Sequence, residues 1–238
     1  MRLIFECQVR HLIALALLLA GVAWASEIDG FTSGALLGLS TEAWVWISVA
    51  NAVAHQVFVW FCWRTELHGG LLTRYMGTAA FPIYAVFFTL LIAARPVTMT
   101  ALACSNRNTL ATDSTLMGIL AVICALPGVY LIYSIKRYFR FRRALGIDHF
   151  DPSYRSAPLV RRGIFRFSGN AMYVYGFLLL WVPGLAFRSV AALGVAFFGH
   201  IYIWVHYAFT EKPDMNRIYG TAAGRPGDGA RAACEGSR

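Results

Sequence analysis

The sequence predicts an all-α membrane protein, a polytopic bundle of about six transmembrane helices, on three observations. Of its 238 residues 58% are hydrophobic and only 14% are charged, a balance outside that of ordinary soluble domains. Six apolar runs are long enough to cross a hydrocarbon core of about 30 Å, which takes roughly 20 helical residues. Finally, 18 of the 21 Lys and Arg residues fall in four segments that alternate with the other connections.

The runs lie at about residues 11–28, 42–63, 78–95, 116–135, 171–187 and 189–209. Each is read as a helix, because an isolated strand cannot satisfy its backbone in lipid. The first follows the basic start MRLIFECQVR and ends in Ala23, Trp24 and Ala25, which also suits a cleaved secretory signal. Cleavage would leave five spans with the same sidedness. The second carries Ser48, Asn51 and His55 at helical spacing, with Gln56 beside them. Such a stripe faces a bundle interior, either as hydrogen-bonding glue between helices or as a substrate pocket. The third and fourth are separated by the turn-rich SNRNTLATDST at 105–115. Only a few residues around Phe187 and Arg188 separate the last two, so they form an antiparallel helix hairpin.

Under the positive-inside tendency, Met1–Arg10, Arg64–Gly77, Lys136–Asn170 and Glu211–Arg238 face the cytoplasm. Arg95, Arg107 and Arg188 are the cations left outside those segments. Much of the net charge of +9 sits in the loop IKRYFRFRRALGIDHFDPSYRSAPLVRRGIFRF. Beside a bilayer such a loop attracts anionic headgroups, and no nucleic-acid motif accompanies it. The five cysteines show no CxxC pair. His200 and His206, six apart, point to different faces of one helix. No metal site is expected, and the oligomeric state is left open.

The chain divides into 1–130, apolar helices separated by short loops and read as scaffold; 131–220, the functional region; and 221–238, a small-residue-rich tail read as disordered. In the second region the hairpin returns both open ends to one membrane face. The stretch GIFRFSGNAMYVYG at 163–176 is thereby set beside EKPDMNRIYG at 211–220. Arginine, amide, histidine, carboxylate and tyrosines converge there, a set complementary to a zwitterionic ligand.

These two stretches resemble the paired motifs of the integral-membrane methyltransferases that include isoprenylcysteine carboxyl methyltransferase and phospholipid N-methyltransferases. Gly163, Phe165, Arg166, Asn170, Met172, Tyr173 and Gly176 match the first motif; Glu211, Met215, Tyr219 and Gly220 match the second. The departures are Ile164, Gly169, Ala171 and Lys212, and the likeness covers roughly 158–220. It implies S-adenosylmethionine as cofactor and a lipid or other lipophilic acceptor, a phospholipid amine or an isoprenylcysteine carboxylate, methylated at the cytoplasmic face.

The roles the resemblance implies are as follows. Glu211 holds the cofactor's ribose or ammonium, Arg166 its carboxylate, and Asn170 positions the polar end. Tyr173 and Tyr219 offer ring faces to a sulfonium, and His206 is the proton acceptor. The alternatives are an NADPH-dependent membrane reductase of the sterol-reductase kind, with Arg140, Arg142 and Arg143 for the 2′-phosphate, and a non-enzymatic membrane protein.

Overall fold

The computed structural model describes residues 2–158 and 160–220, so the tail at 221–238 lies outside the described residues. Five helical stretches are long and apolar enough to cross a membrane, and all belong to one all-α bundle. The first, α1, is Gln8–Ser26. A two-residue hairpin follows, β1 (Ala35–Leu36) antiparallel to β2 (Leu39–Ser40), and Ser40 then caps α2 (Thr41–Gly69) by accepting from Ala43 N at 3.1 Å.

The 29 residues of α2 extend about 43 Å at 1.5 Å per residue, well beyond a hydrocarbon core. Its last turns therefore carry Arg64, Glu66 and His68 into the polar zone. Gly70, at φ +58°, stops it. The short α3 (Leu71–Met76) leads into α4 (Ala80–Ser105).

Asp113 caps α5 (Ser114–Ser134) through Leu116 N at 2.8 Å, and α5 ends in a π turn over Ile135–Phe139. After α6 (Phe141–Ala144) and several tight turns comes the short apolar helix Met172–Ala186. It opens as a π turn over Met172–Gly176, tightens over Phe177–Leu180 and ends as α7 (Trp181–Ala186). The turn at Phe187–Ser189 reverses the chain into α8 (Val190–His206), then a π turn at Tyr207–Glu211 and α9 (Lys212–Gly220).

Two features differ from the hydropathy reading. The fifth run forms only 15 residues of helix, about 22 Å, and is shorter than a hydrocarbon core, so five of the six expected spans are long enough to cross. The third does not end at Arg95: α4 continues ten residues further, with Pro96 inside it. Neighbouring helices in a membrane bundle compensate the backbone groups that a proline frees, so the pair Arg95–Pro96 marks an interior and not an end.

The core lies where α2, α4 and α8 meet, with Val45, Val49 and Ala52 against Leu102 and Ala103 and against Ala191, Ala192, Val195 and Ala196. Small residues on α8 let helix backbones approach closely, the usual packing solution in lipid. The first helix belongs to this core through Leu15 and Val22. At one end of the bundle, contacts join the N-terminal residues, the end of α2, the 147–149 turn and α9. Residues 30–33, Asn106 and Ser189 meet at the other end. The segments that alternate in charge thus sort to opposite ends.

Candidate functional site

Each motif is shaped by the backbone around it. Gly163 has φ +60°, and a Cβ there would lie 2.6 Å from Ser134 Oγ; only glycine permits that approach. The close contact lets Ile164 N donate to Ser134 Oγ at 3.2 Å, fixing the first motif to the end of α5. Asn170 starts the next helix: its carbonyl accepts from Tyr173 N and Val174 N, both at 3.0 Å. Single-turn π segments favour functional positions, and here they fall on both helical arms of the hairpin, at Met172–Gly176 and Tyr207–Glu211.

Those two π turns meet. The Tyr173 hydroxyl donates to Glu211 Oε2, joining the first motif to the second across 38 residues. Tyr173 also packs on Trp204 and Tyr207, with ring centroids 6.0 and 5.6 Å apart. Among the described residues no cation pairs with Glu211.

His206 faces another way. It is 1% exposed, its ring lies 5.8 Å from His11 on α1 and 6.5 Å from Trp63 on α2, and neither nitrogen has a hydrogen-bond partner among the described residues. Trp63 stacks on His149 at 4.2 Å and donates to Tyr84 Oη at 2.8 Å. His149 Nδ1 sits 3.4 Å from Asp148 Oδ1, and Tyr219 donates to Asp148 Oδ2 at 2.7 Å. Ring contacts therefore run from His206 through Trp63 to His149, and the Asp148 carboxylate links His149 to Tyr219. Burial opposes charge on Asp148, yet His149 and the Tyr219 hydroxyl hold its carboxyl below the usual range.

Beneath these rings lies a buried ion pair. Arg64 is fully buried and binds Asp214 Oδ2 through Nε at 2.8 Å. Its Nη1 donates to Leu3 O at 2.7 Å, and its Nη2 donates to Thr210 O at 3.0 Å. Arg217 pairs with Glu6, and Gln8 donates to Phe209 O at 3.2 Å. The N-terminal segment, α2 and α9 are thereby locked around the second motif.

Of the residues singled out from sequence, the structure brings Tyr173 and Glu211 together. His206 stands at one end of the ring series, and Tyr219 is joined to its other end through Asp148. Asn170 is half-buried, and Arg166 is exposed with its guanidinium 4.5 Å above its neighbour Phe167. Sequence reasoning missed Arg64, Trp63, Asp148 and His149, which lie 60 or more residues from the second motif and carry no spacing signal. Asp214 stood in the quoted EKPDMNRIYG and was the one legible member. Of the three arginines considered for a 2′-phosphate, Arg142 lies over Phe81, while Arg143 donates to Pro158 O and Ala157 O. Among the described residues no group of three His, Cys, Asp or Glu side chains is placed to hold a metal ion.

The donor set suits a cationic, amphiphilic ligand. Asp148 is held ionised, Glu211 has a hydroxyl donor but no cation, aromatic faces flank both, and the orphaned nitrogens of His206 call for a polar partner. A cofactor bearing a sulfonium and an ammonium fits such a site.

Residues 116–222 match the family model described as phospholipid methyltransferase. No curated protein and no solved structure matches the chain. The match reaches back through α5, further than the two motifs alone, and it includes every site residue named from sequence. It is the membrane methyltransferase family kind that the motifs resemble.

Proposed function

We propose that the protein transfers a methyl group from S-adenosylmethionine to a lipid or other lipophilic acceptor, a phospholipid amine foremost, at the cytoplasmic membrane face. The observation that supports this reading is the Tyr173 to Glu211 hydrogen bond, which joins the two motifs within the region similar to phospholipid methyltransferases. The cytoplasmic assignment rests on the excess of Lys and Arg in the segments at that end.

When bound, the cofactor supplies an electrophilic methyl carbon on a positively charged sulfur. The chain's own part is orientation and electrostatics, which can supply much of the acceleration in such a displacement. Asp148 provides negative charge, and Glu211 an acceptor, for the cofactor's ammonium and ribose. Tyr173 and Tyr219 keep those carboxylates oriented and present ring faces to the sulfonium. Asn170 positions the cofactor's polar end. Arg166, at the exposed rim, meets the cofactor carboxylate once its side chain leaves Phe167. His206, with both nitrogens open, receives the proton that an amine acceptor gives up.

Calorimetric titration of the purified protein tests this. Binding of S-adenosylmethionine and of its demethylated product is expected, with no NADPH binding, and Glu211→Ala should weaken the affinity by about 1 to 3 kcal/mol. Tight NADPH binding with no response to S-adenosylmethionine would transfer the protein to the reductase class.

A further inference from the structure

A second polar place lies deep in the bundle, apart from the methyl-transfer motifs. Arg95 sits inside α4, ten residues before its Ser105 end, about 15 Å along the helix, and is 4% exposed. A guanidinium stays protonated, and a charge at such depth needs a partner. Yet none of the ion pairs among the described residues includes Arg95, and its Nη1 has no hydrogen-bond partner there. Its cationic carbon lies 4.9 Å from the Phe177 ring centre, a contact that attracts the charge without neutralising it.

The surroundings are shaped for this group. A Cβ at Gly199 would come within 3.0 Å of Arg95 Nη2, so the glycine makes the room in which the guanidinium lies. Beside it is a cavity of about 10 Å³ bounded by Arg95, Ser48 and Thr98, with apolar walls from Met99, Leu180 and Val195. The Ser48 hydroxyl is buried and also lacks a partner. Thr98 donates to the Arg95 carbonyl at 3.2 Å, so it closes the wall and leaves Arg95 and Ser48 as the donors. Two unsatisfied donors, one of them cationic, face one small space.

We propose that this cavity is a binding site for a small inorganic anion of about halide size, held by Arg95 Nη1 and Ser48 Oγ. A water molecule would satisfy the hydrogen bonds but leave the charge uncompensated. A phosphate or carboxylate headgroup is too large for a cavity that holds a single small guest. The site requires nothing of the methyl-transfer reading, since it is built by α2, α4, α8 and the turn before α7.

The test uses the full-length protein in nanodiscs of zwitterionic lipid, with sodium gluconate replaced stepwise by sodium chloride at constant ionic strength. The wild-type unfolding temperature should rise saturably by several degrees, and bromide should act likewise. Arg95→Gln should show a flat response, and Ser48→Ala a midpoint shifted roughly tenfold upward, as for loss of one hydrogen bond to a charge. If Arg95→Gln does not fold, chloride-35 line broadening by the wild type, relieved by bromide, gives the same answer. An unfolding temperature equal in gluconate and chloride, an unchanged response in Arg95→Gln, or a response to phosphate but not to halide would each overturn the proposal.

Discussion

The two ends of the bundle handle buried polar groups in opposite ways. At the far end, Asn106 is fully buried and fully used. Its Nδ2 donates to Gly30 O and Ser33 O at 3.0 and 2.9 Å, and its Oδ1 accepts from Ser189 Oγ, Ala191 N and Thr109 Oγ1 at 2.8 to 3.0 Å. At the motif end, the equally buried His206 has no hydrogen-bond partner among the described residues, and Glu211 has a hydroxyl donor but no cation there. Polar groups that serve only the fold saturate one another, because an unmet donor in a low-dielectric interior costs about 1 to 3 kcal/mol. On the proposed reading, the groups left open at the motif end are those that a ligand would complete.

That contrast can be broken by substitution. The largest expected effect is at Arg64, which couples the ends of the chain to the site. Arg64→Met removes the cation that buried Asp214 holds at 2.8 Å, leaving it Arg217 at 3.6 Å, and should lower stability by about 3 to 5 kcal/mol, while the double change with Asp214→Leu should recover most of it. Denaturant unfolding in detergent measures both, and a single variant as stable as the wild type would detach this pair from the fold.

Next comes Asn106→Ala. It strands several buried partners and should cost about 3 kcal/mol, yet methyl transfer per folded molecule should not change. A loss of turnover at equal folded fraction would erase the distinction between the two ends.

Tyr173→Phe should do the reverse: a stability change of about 1 kcal/mol or less, with transfer reduced tenfold or more because Glu211 loses its orienting donor. The smallest effect on stability is expected at Arg166. Arg166→Lys should leave unfolding unchanged and raise the KM for S-adenosylmethionine, since an ammonium does not reproduce bidentate carboxylate pairing. A silent lysine would make Arg166 a membrane anchor only.

Hydropathy made the helices legible, because lipid demands continuous apolar length and self-satisfied backbones. The alternation of basic segments foretold which connections share an end, and the brevity of the Phe187–Ser189 turn foretold the hairpin. Arg95–Pro96 misled because a charge followed by proline looks like a span's end, whereas packing against Phe177 and Gly199 makes it an interior. Within the site, Tyr173 and Glu211 were legible as parts of motifs. Arg64, Trp63 and His149 were not, since their contacts with Asp214 and His206 are set by helix packing between distant segments and leave no local pattern. The region read as scaffold supplies an ion pair and a ring wall to the region read as functional.

The central claim is that the hairpin unites both motifs in one methyl-transfer site. Membranes containing the protein, incubated with S-adenosylmethionine carrying a labelled methyl group and then extracted, test it most directly. Label is expected in the lipid fraction with wild type, none above background with Glu211→Gln or Asn170→Ala, and membrane insertion of both variants should be unchanged. Label that survives both changes would contradict it.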